Sequence, residues 1–377
     1  MNRIIATVSI LLIISCCSNK RNVNCENTEI IDMTSNIVYL DKDDIVEEII
    51  YVPLKIVDDK FLIRYINSVF MTDSLLFIVD ISLNAIFVYD LNGYPLYRIG
   101  NVGQGPGEYV HLRDVTLDRK GRRIIICDVT SQKIIYYDFS GRVLEEKRMP
   151  STEHICYFAK DPMSDFFVGE RRTLTKDLLV VFDKNQNIID SHFRLNPQNM
   201  EVYKPYESYM YGTPFYVYND TVFFLSIFDY SIYSYADGKF NREYSINISE
   251  KIKISSTTID FNANKPSYEY ISEYWGKGLL AQLSSLVVTD NYIIFKPEGG
   301  HLPSKIIYDR KNKKTYSYKN LFSNEKNVSQ QTICSEYNDW FVFGIYGQTF
   351  EYLRKNLGMK IEDDDNPVLC FVKLKKL

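Results

Sequence analysis

Histidine and tryptophan are scarce in this chain, with four and two copies in 377 residues. The histidines, His111, His154, His192 and His301, form no HxH or HxxxH pair. A zinc site ordinarily takes three protein ligands, so neither a metal centre nor another cofactor is expected. The seven cysteines include no CxxC and no dense framework, and disulfides are not expected. A GxSxG elbow is missing, and no cysteine has a plausible histidine partner. Charge of one sign does not dominate either: the net value is −4 and the basic residues are scattered among acids, so no nucleic-acid footprint is present. After the N-terminus, no apolar run is long enough to cross a bilayer.

What is present is a globular composition, 45% hydrophobic and 24% charged, with thirty Tyr and twenty-two Phe. One stretch occurs twice, as Leu75 to Leu96 and again as Arg123 to Leu144. Asp80 and Asp128, Tyr89 and Tyr137, Asp90 and Asp138, Gly93 and Gly141 each differ by 48 in number, with no gap required. Each copy is an apolar run ending in Asp, a polar turn, a second apolar run ending in Tyr-Asp, and a turn closed by Gly. The runs are β-branched and aromatic, as pleated buried strands require. A repeat of roughly 40 to 50 residues made of short strands is the length of one propeller blade. The expected fold is therefore all-β, a six-bladed β-propeller, with five or seven blades left open because the later repeats have drifted. Ile45 to Leu54 and Val368 to Leu377 are strand-like runs at the two chain ends, and the last blade is expected to be closed by pairing them.

The expected domain organisation is a signal peptide over 1–15, a lipidated tether over 16–44 and the propeller over 45–377. Asn2-Arg3 precedes the apolar run Ile4 to Ile14, about the length of a signal-peptide core. It leads into Ser15-Cys16-Cys17, which resembles a bacterial lipobox; the small Ser15 favours acylation at Cys16 over Cys17. Asn196 to Gly212, Lys251 to Gln282 and Gly347 to Asn366 do not fit the blade pattern and are expected to be insertions, with short helices near Ser267 to Leu283 and Phe350 to Met359. Long loops in a compact domain are usually functional or disordered, and these are too rich in aromatics for disorder.

Ile99 to Tyr109 (IGNVGQGPGEY) is the most distinctive connector. It has the glycines of a phosphate loop, but no Lys-Ser or Lys-Thr follows, Glu108 would repel phosphate, and a strand comes next. A tight link between blades is the expected role. The recurring Asp80, Asp90, Asp128 and Asp138 are expected to accept backbone hydrogen bonds in turns, since one catalytic site would not need them in every repeat.

The Gly-x-Gly-Pro-Gly-Glu-Tyr connector, the upstream Val52-Pro53-Leu54 and the lipobox together resemble the six-bladed β-propeller lipoproteins of Gram-negative gut-type bacteria, relatives of the NHL-repeat and TolB-like propellers. The resemblance is strong over Ile49 to Pro150 and one of pattern beyond. It implies fold and export, and carries over no catalytic residue. The expected function is that of a cell-envelope binding or scaffolding protein, held by its lipid anchor at the outer membrane, without catalytic activity. A glycan, a peptide or an envelope protein would be its partner. Candidate contacts are His111, Arg113, Asp114 and His154 at the channel mouth, and Tyr206, Tyr209, Tyr211, Tyr270, Tyr274 and Trp275 on the loops, because Tyr and Trp offer flat apolar area with a polar edge. The rival expectation is a metal-dependent lyase or hydrolase using His111, His154, Arg113 and Asp114.

Overall fold

A computed structural model describes residues 27–34, 37–149, 155–171, 177–194, 213–226, 229–255, 265–303, 305–318, 333–337 and 339–377. They form six antiparallel sheets, hereafter blades I to VI. Blade I is Ser68–Met71, Leu75–Asp80, Ala85–Asp90 and Pro95–Ile99; blade II is Asp114–Asp118, Arg123–Asp128, Lys133–Asp138 and Val143–Arg148. The second and third strands of these two blades begin and end 48 residues apart, as the repeat requires. Blade III is Ile155–Lys160, Phe167–Arg171, Asp177–Phe182 and Ile188–Arg194; blade IV is Phe215–Tyr218, Thr221–Ser226, Ser231–Ala236 and Lys239–Asn247. Blade V is Leu280–Val288, Tyr292–Gly299, Ile306–Asp309 and Lys314–Tyr318. Blade VI takes Ile333–Tyr337, Trp340–Ile345 and Val368–Leu374 from the C-terminus and its outer strand, Val46–Pro53, from the N-terminus.

Ring closure follows from the cores. Each consecutive pair of blades shares one buried cluster, and the sixth joins VI to I through Val342, Leu369 and Phe371 against Leu76, Ile78 and Phe87. A sheet buried on both faces needs apolar residues at successive positions, and Ile124, Ile125 and Ile126 are all fully buried. The first strand of each blade lies at the axis, where the first strands meet in succession from blade II round through VI to I. Its free edge is partly capped from the preceding blade: Phe158 N donates to Asp114 Oδ2 (2.9 Å), and Ile66 N, just ahead of the first strand of blade I, donates to Tyr346 Oη (2.6 Å).

Part of the expected tether is structural. Glu29–Asp32 and Val38–Leu40 lie parallel to the outer strands of blades IV and V, making each a five-stranded sheet. Ile31 and Met33 are buried in the IV–V core, and Ile45 in the V–VI core. The N-terminal segment is thus a belt over the rims of three blades. Its strands are three and four residues long, too short to show alternation in a polar sequence. Blade IV likewise gains an inner strand, Phe215–Tyr218, that lies just after an insertion and is only four residues long. The inner strand of blade V begins inside the expected insertion, at Leu280. The two expected helices are present as Ser267–Gly276 and Phe350–Leu357.

The repeated aspartates bind backbone amides. Asp80 accepts from Arg64, Tyr65 and Leu83, and Asp128 from Val110, Thr130 and Ser131. Asp90 and Asp138 each hold the turn that follows.

Candidate functional site

Strand direction decides where the insertions lie. In a four-stranded antiparallel blade the first and third strands run one way and the second and fourth the other. Links from second to third strand, and from fourth strand to the next blade's first, therefore emerge at the same end. All three insertions belong to these two kinds of link. Cross-loop hydrogen bonds bear this out: Tyr109 Oη donates to Asn84 O (2.7 Å), Ile63 N to Asn366 Oδ1 (2.8 Å) and Ile254 N to Tyr230 Oη (3.5 Å). One face of the ring is built up, and the described links between strands on the opposite face are short turns.

On the built-up face, the Ser267–Gly276 helix presents Tyr270, Ile271 and Tyr274 to the IV–V core, as i, i+1 and i+4 spacing dictates. Tyr270 and Tyr274 are each 1% exposed, so these two expected contact residues are core residues instead. Lys265 and Lys277 both pair with Glu273 on this helix. Trp275, 41% exposed, stays on the surface. Tyr206, Tyr209, Tyr211, His154 and Cys16 lie outside the described residues.

Arg113 and Asp114 stand where the inner strand of blade II begins, at the channel mouth on the built-up face. The Arg113 guanidinium donates to Tyr157 Oη (2.9 Å) and lies over the same ring at 4.7 Å. Asp114 is buried, and desolvation pushes its carboxyl up to about 7 against the opposing hydrogen bonds from Phe158 N and Val115 N and the nearby Arg113 charge; Glu170 adds to the rise. Glu170 and Arg171, both buried, close the second strand of blade III at this end, and Arg171 donates to Asp177 O (3.4 Å). The mouth between blades II and III therefore combines two guanidiniums, two carboxylates and a phenol. Tyr157, Glu170 and Arg171 were not anticipated from sequence; a Glu-Arg pair inside the apolar run Phe166 to Arg171 was the available signal. His111 is half-buried on the connector, between Val110, bonded to Asp128, and Leu112, bonded to Asn84. Among the described residues, no three His, Cys, Asp or Glu side chains are grouped as metal ligands would be.

The glycine connector is filled by its own side chains. Glu108 Oε2 accepts from Gly105 N and Glu146 Oε2 from Gly107 N, both at 2.8 Å. Buried Lys133 pairs with Glu146 (3.2 Å), and Tyr137 Oη donates to Gly107 O (2.8 Å). The amides that would greet a phosphate already hold carboxylates. Gly107, at φ 73°, packs against Val143, where a Cβ would clash at 2.6 Å.

Fold and face together define a class: closed six-bladed propellers with one elaborated end. Within it, the chain belongs to the family described as domain of unknown function (DUF4934), whose model matches residues 28–373. No curated protein matches it. Among solved structures it is similar to a provisionally named exported protein of Bacteroides fragilis NCTC 9343, at 18% identity and TM-score 0.77 over 92% of this chain and 100% of that one. It is also similar to a member of the DUF4221 family from Bacteroides vulgatus ATCC 8482, at 12% identity and TM-score 0.55 over 89% and 100%. At these identities the likeness concerns the fold alone.

Proposed function

We propose that this protein is an exported, lipid-anchored envelope protein that binds a glycan, a peptide or a partner protein on its built-up face. The observation that carries this reading is that the links bearing all three insertions leave their strands at the end of the ring that holds Arg113, Asp114, Glu170 and Arg171. A scaffold of six rigid sheets presenting loops around a polar mouth fits recognition, because loops placed on a rigid frame bear most binding residues. The lipobox-like Ser15-Cys16 and the exported name of the Bacteroides fragilis structure support the location, at the outer membrane through a Cys16 lipid. The resemblance to the six-bladed propeller lipoproteins of Gram-negative gut-type bacteria agrees with it.

Screening glycans and peptides against the mature chain by thermal shift tests binding, since a ligand of the folded form raises Tm. Arg113→Ala and Trp275→Ala should each reduce the shift produced by any hit. A hit whose shift neither variant alters would place recognition elsewhere. The rival reading, a metal-dependent lyase or hydrolase, draws on Asp114, whose neutral-range acidity suits general acid–base work. Stoichiometric zinc or calcium in purified protein, lost in His154→Ala, would favour it.

A further inference from the structure

At the built-up end of blade V two lysines share one side of the sheet. Phe295 pairs with Ile306, so Lys296 and Lys305, one step further toward that end, lie side by side on neighbouring strands. Ser284, opposite Lys296 on the inner strand, donates to Glu298 Oε1 (2.8 Å), and Lys296 Nζ stands 3.5 Å from the same oxygen. The Glu298 carboxylate is thus already shared by Ser284 and Lys296. Lys305 is half-buried, and its Nζ lies over the ring of Tyr318, 5.7 Å from the centroid, on a side chain that is 4% exposed.

These surroundings favour a neutral amine. Like charges opposite each other on adjacent strands repel, and an ammonium set against a buried ring loses part of its water. Burial first, and the charge of Lys296 second, bring the pKa of Lys305 down to about 8. At pH 7.5 roughly a quarter of the molecules then carry a neutral amine there, against about one in a thousand for an ordinary lysine. A partly desolvated amine beside a second cation is the arrangement that makes lysine a nucleophile toward carbonyl groups. Lys305 follows the link between the second and third strands, on the face that the insertions build up, and it keeps part of its surface open to solvent.

We propose that Lys305 is a reactive amine that binds a small carbonyl compound, an aldehyde or a 2-oxo acid, as an imine. The nitrogen lone pair adds to the carbonyl carbon, a proton passes from nitrogen to oxygen, and the carbinolamine loses water to leave a C=N bond. Water reverses the sequence, and no oxidant or reductant is consumed. The site lies on blade V, apart from Arg113 and Asp114, and does not depend on the recognition reading. The full-length mature protein would be incubated with millimolar glyceraldehyde and cyanoborohydride, which fixes an imine as a secondary amine, and each lysine quantified by peptide mass spectrometry. At pH 7.5 Lys305 should be modified at least about tenfold faster than exposed Lys314 and Lys376. Its rate should level off near pH 8, while theirs keep rising beyond pH 9. Lys296→Gln removes the neighbouring charge, so it should move that levelling point upward and slow Lys305 several-fold at pH 7.5. The proposal is overturned by equal rates at the three lysines, by a Lys305 rate that climbs past pH 9 without levelling, or by an unchanged Lys305 profile in a Lys296→Gln protein that melts like wild type.

Discussion

Asp114 shows how one buried carboxylate couples blade packing to pH. Its pKa is raised to about 7 by burial, against an ordinary value near 4 in an unfolded chain. Between those values the folded state keeps a proton that the unfolded state has lost, so this residue's stabilising share is present at low pH and disappears as pH rises through 7. Arg113, Glu170 and Cys127 are the charged or titratable groups that act on it or are paired with it across the sheet. Asp114→Asn keeps an acceptor for Phe158 N without the charge. Its Tm relative to wild type should therefore climb between pH 5 and pH 8, by the equivalent of about 2–3 kcal/mol, in thermal melts. At the same scale, Tyr274 and Trp275 are neighbours with opposite fates. Tyr274→Ala should cost about 3–5 kcal/mol by denaturant titration, as deletion of a large buried ring does, and Trp275→Ala about 1 kcal/mol or less.

At the scale of elements, what could be read in advance depended on repetition and length. Blades I and II were legible because both copies keep the Asp-ended runs and the Gly-closed turns in register. The pairing of Val46–Pro53 with Val368–Leu374 was legible because both are long β-branched runs at the chain ends. Glu29–Asp32 and Val38–Leu40 were not legible, since three or four residues paired in parallel on a sheet rim have no periodicity of their own. Part of the candidate site was hidden for a related reason: Tyr270 and Tyr274 have the composition of a contact surface, and only helix phase turns them inward. Ile31 offers a test of the belt. It is fully buried between blades IV and V, so Ile31→Ala should cost about 2–4 kcal/mol, and Ile30→Ala, on the exposed side of the same strand, close to nothing. Equal effects would show that the strand does not seat as described.

Among the described residues every blade contributes to two of the six shared cores, so unfolding should be a single cooperative transition by calorimetry and by fluorescence alike. Removing residues 368–377 deletes the third strand of blade VI and opens the ring between VI and I; that truncated chain should fail to give a sharp melt. The two ends of the ring differ in chemistry: the Asp114 mouth stands at one, and at the other the turns of blades II and III frame a cleft lined by charges of both signs.

Blade VI also sets an order of events during synthesis. Its outer strand ends at Pro53 and its partner begins at Val368, a separation of 315 residues (368 minus 53). At on the order of 5–20 residues per second, the first strand leaves the ribosome roughly 15 to 60 seconds before the strand it must join. Through that interval the edge of Val46–Pro53 lacks its partner and is open to pairing with other nascent chains, a route to aggregation that closes only when Val368–Leu374 arrives.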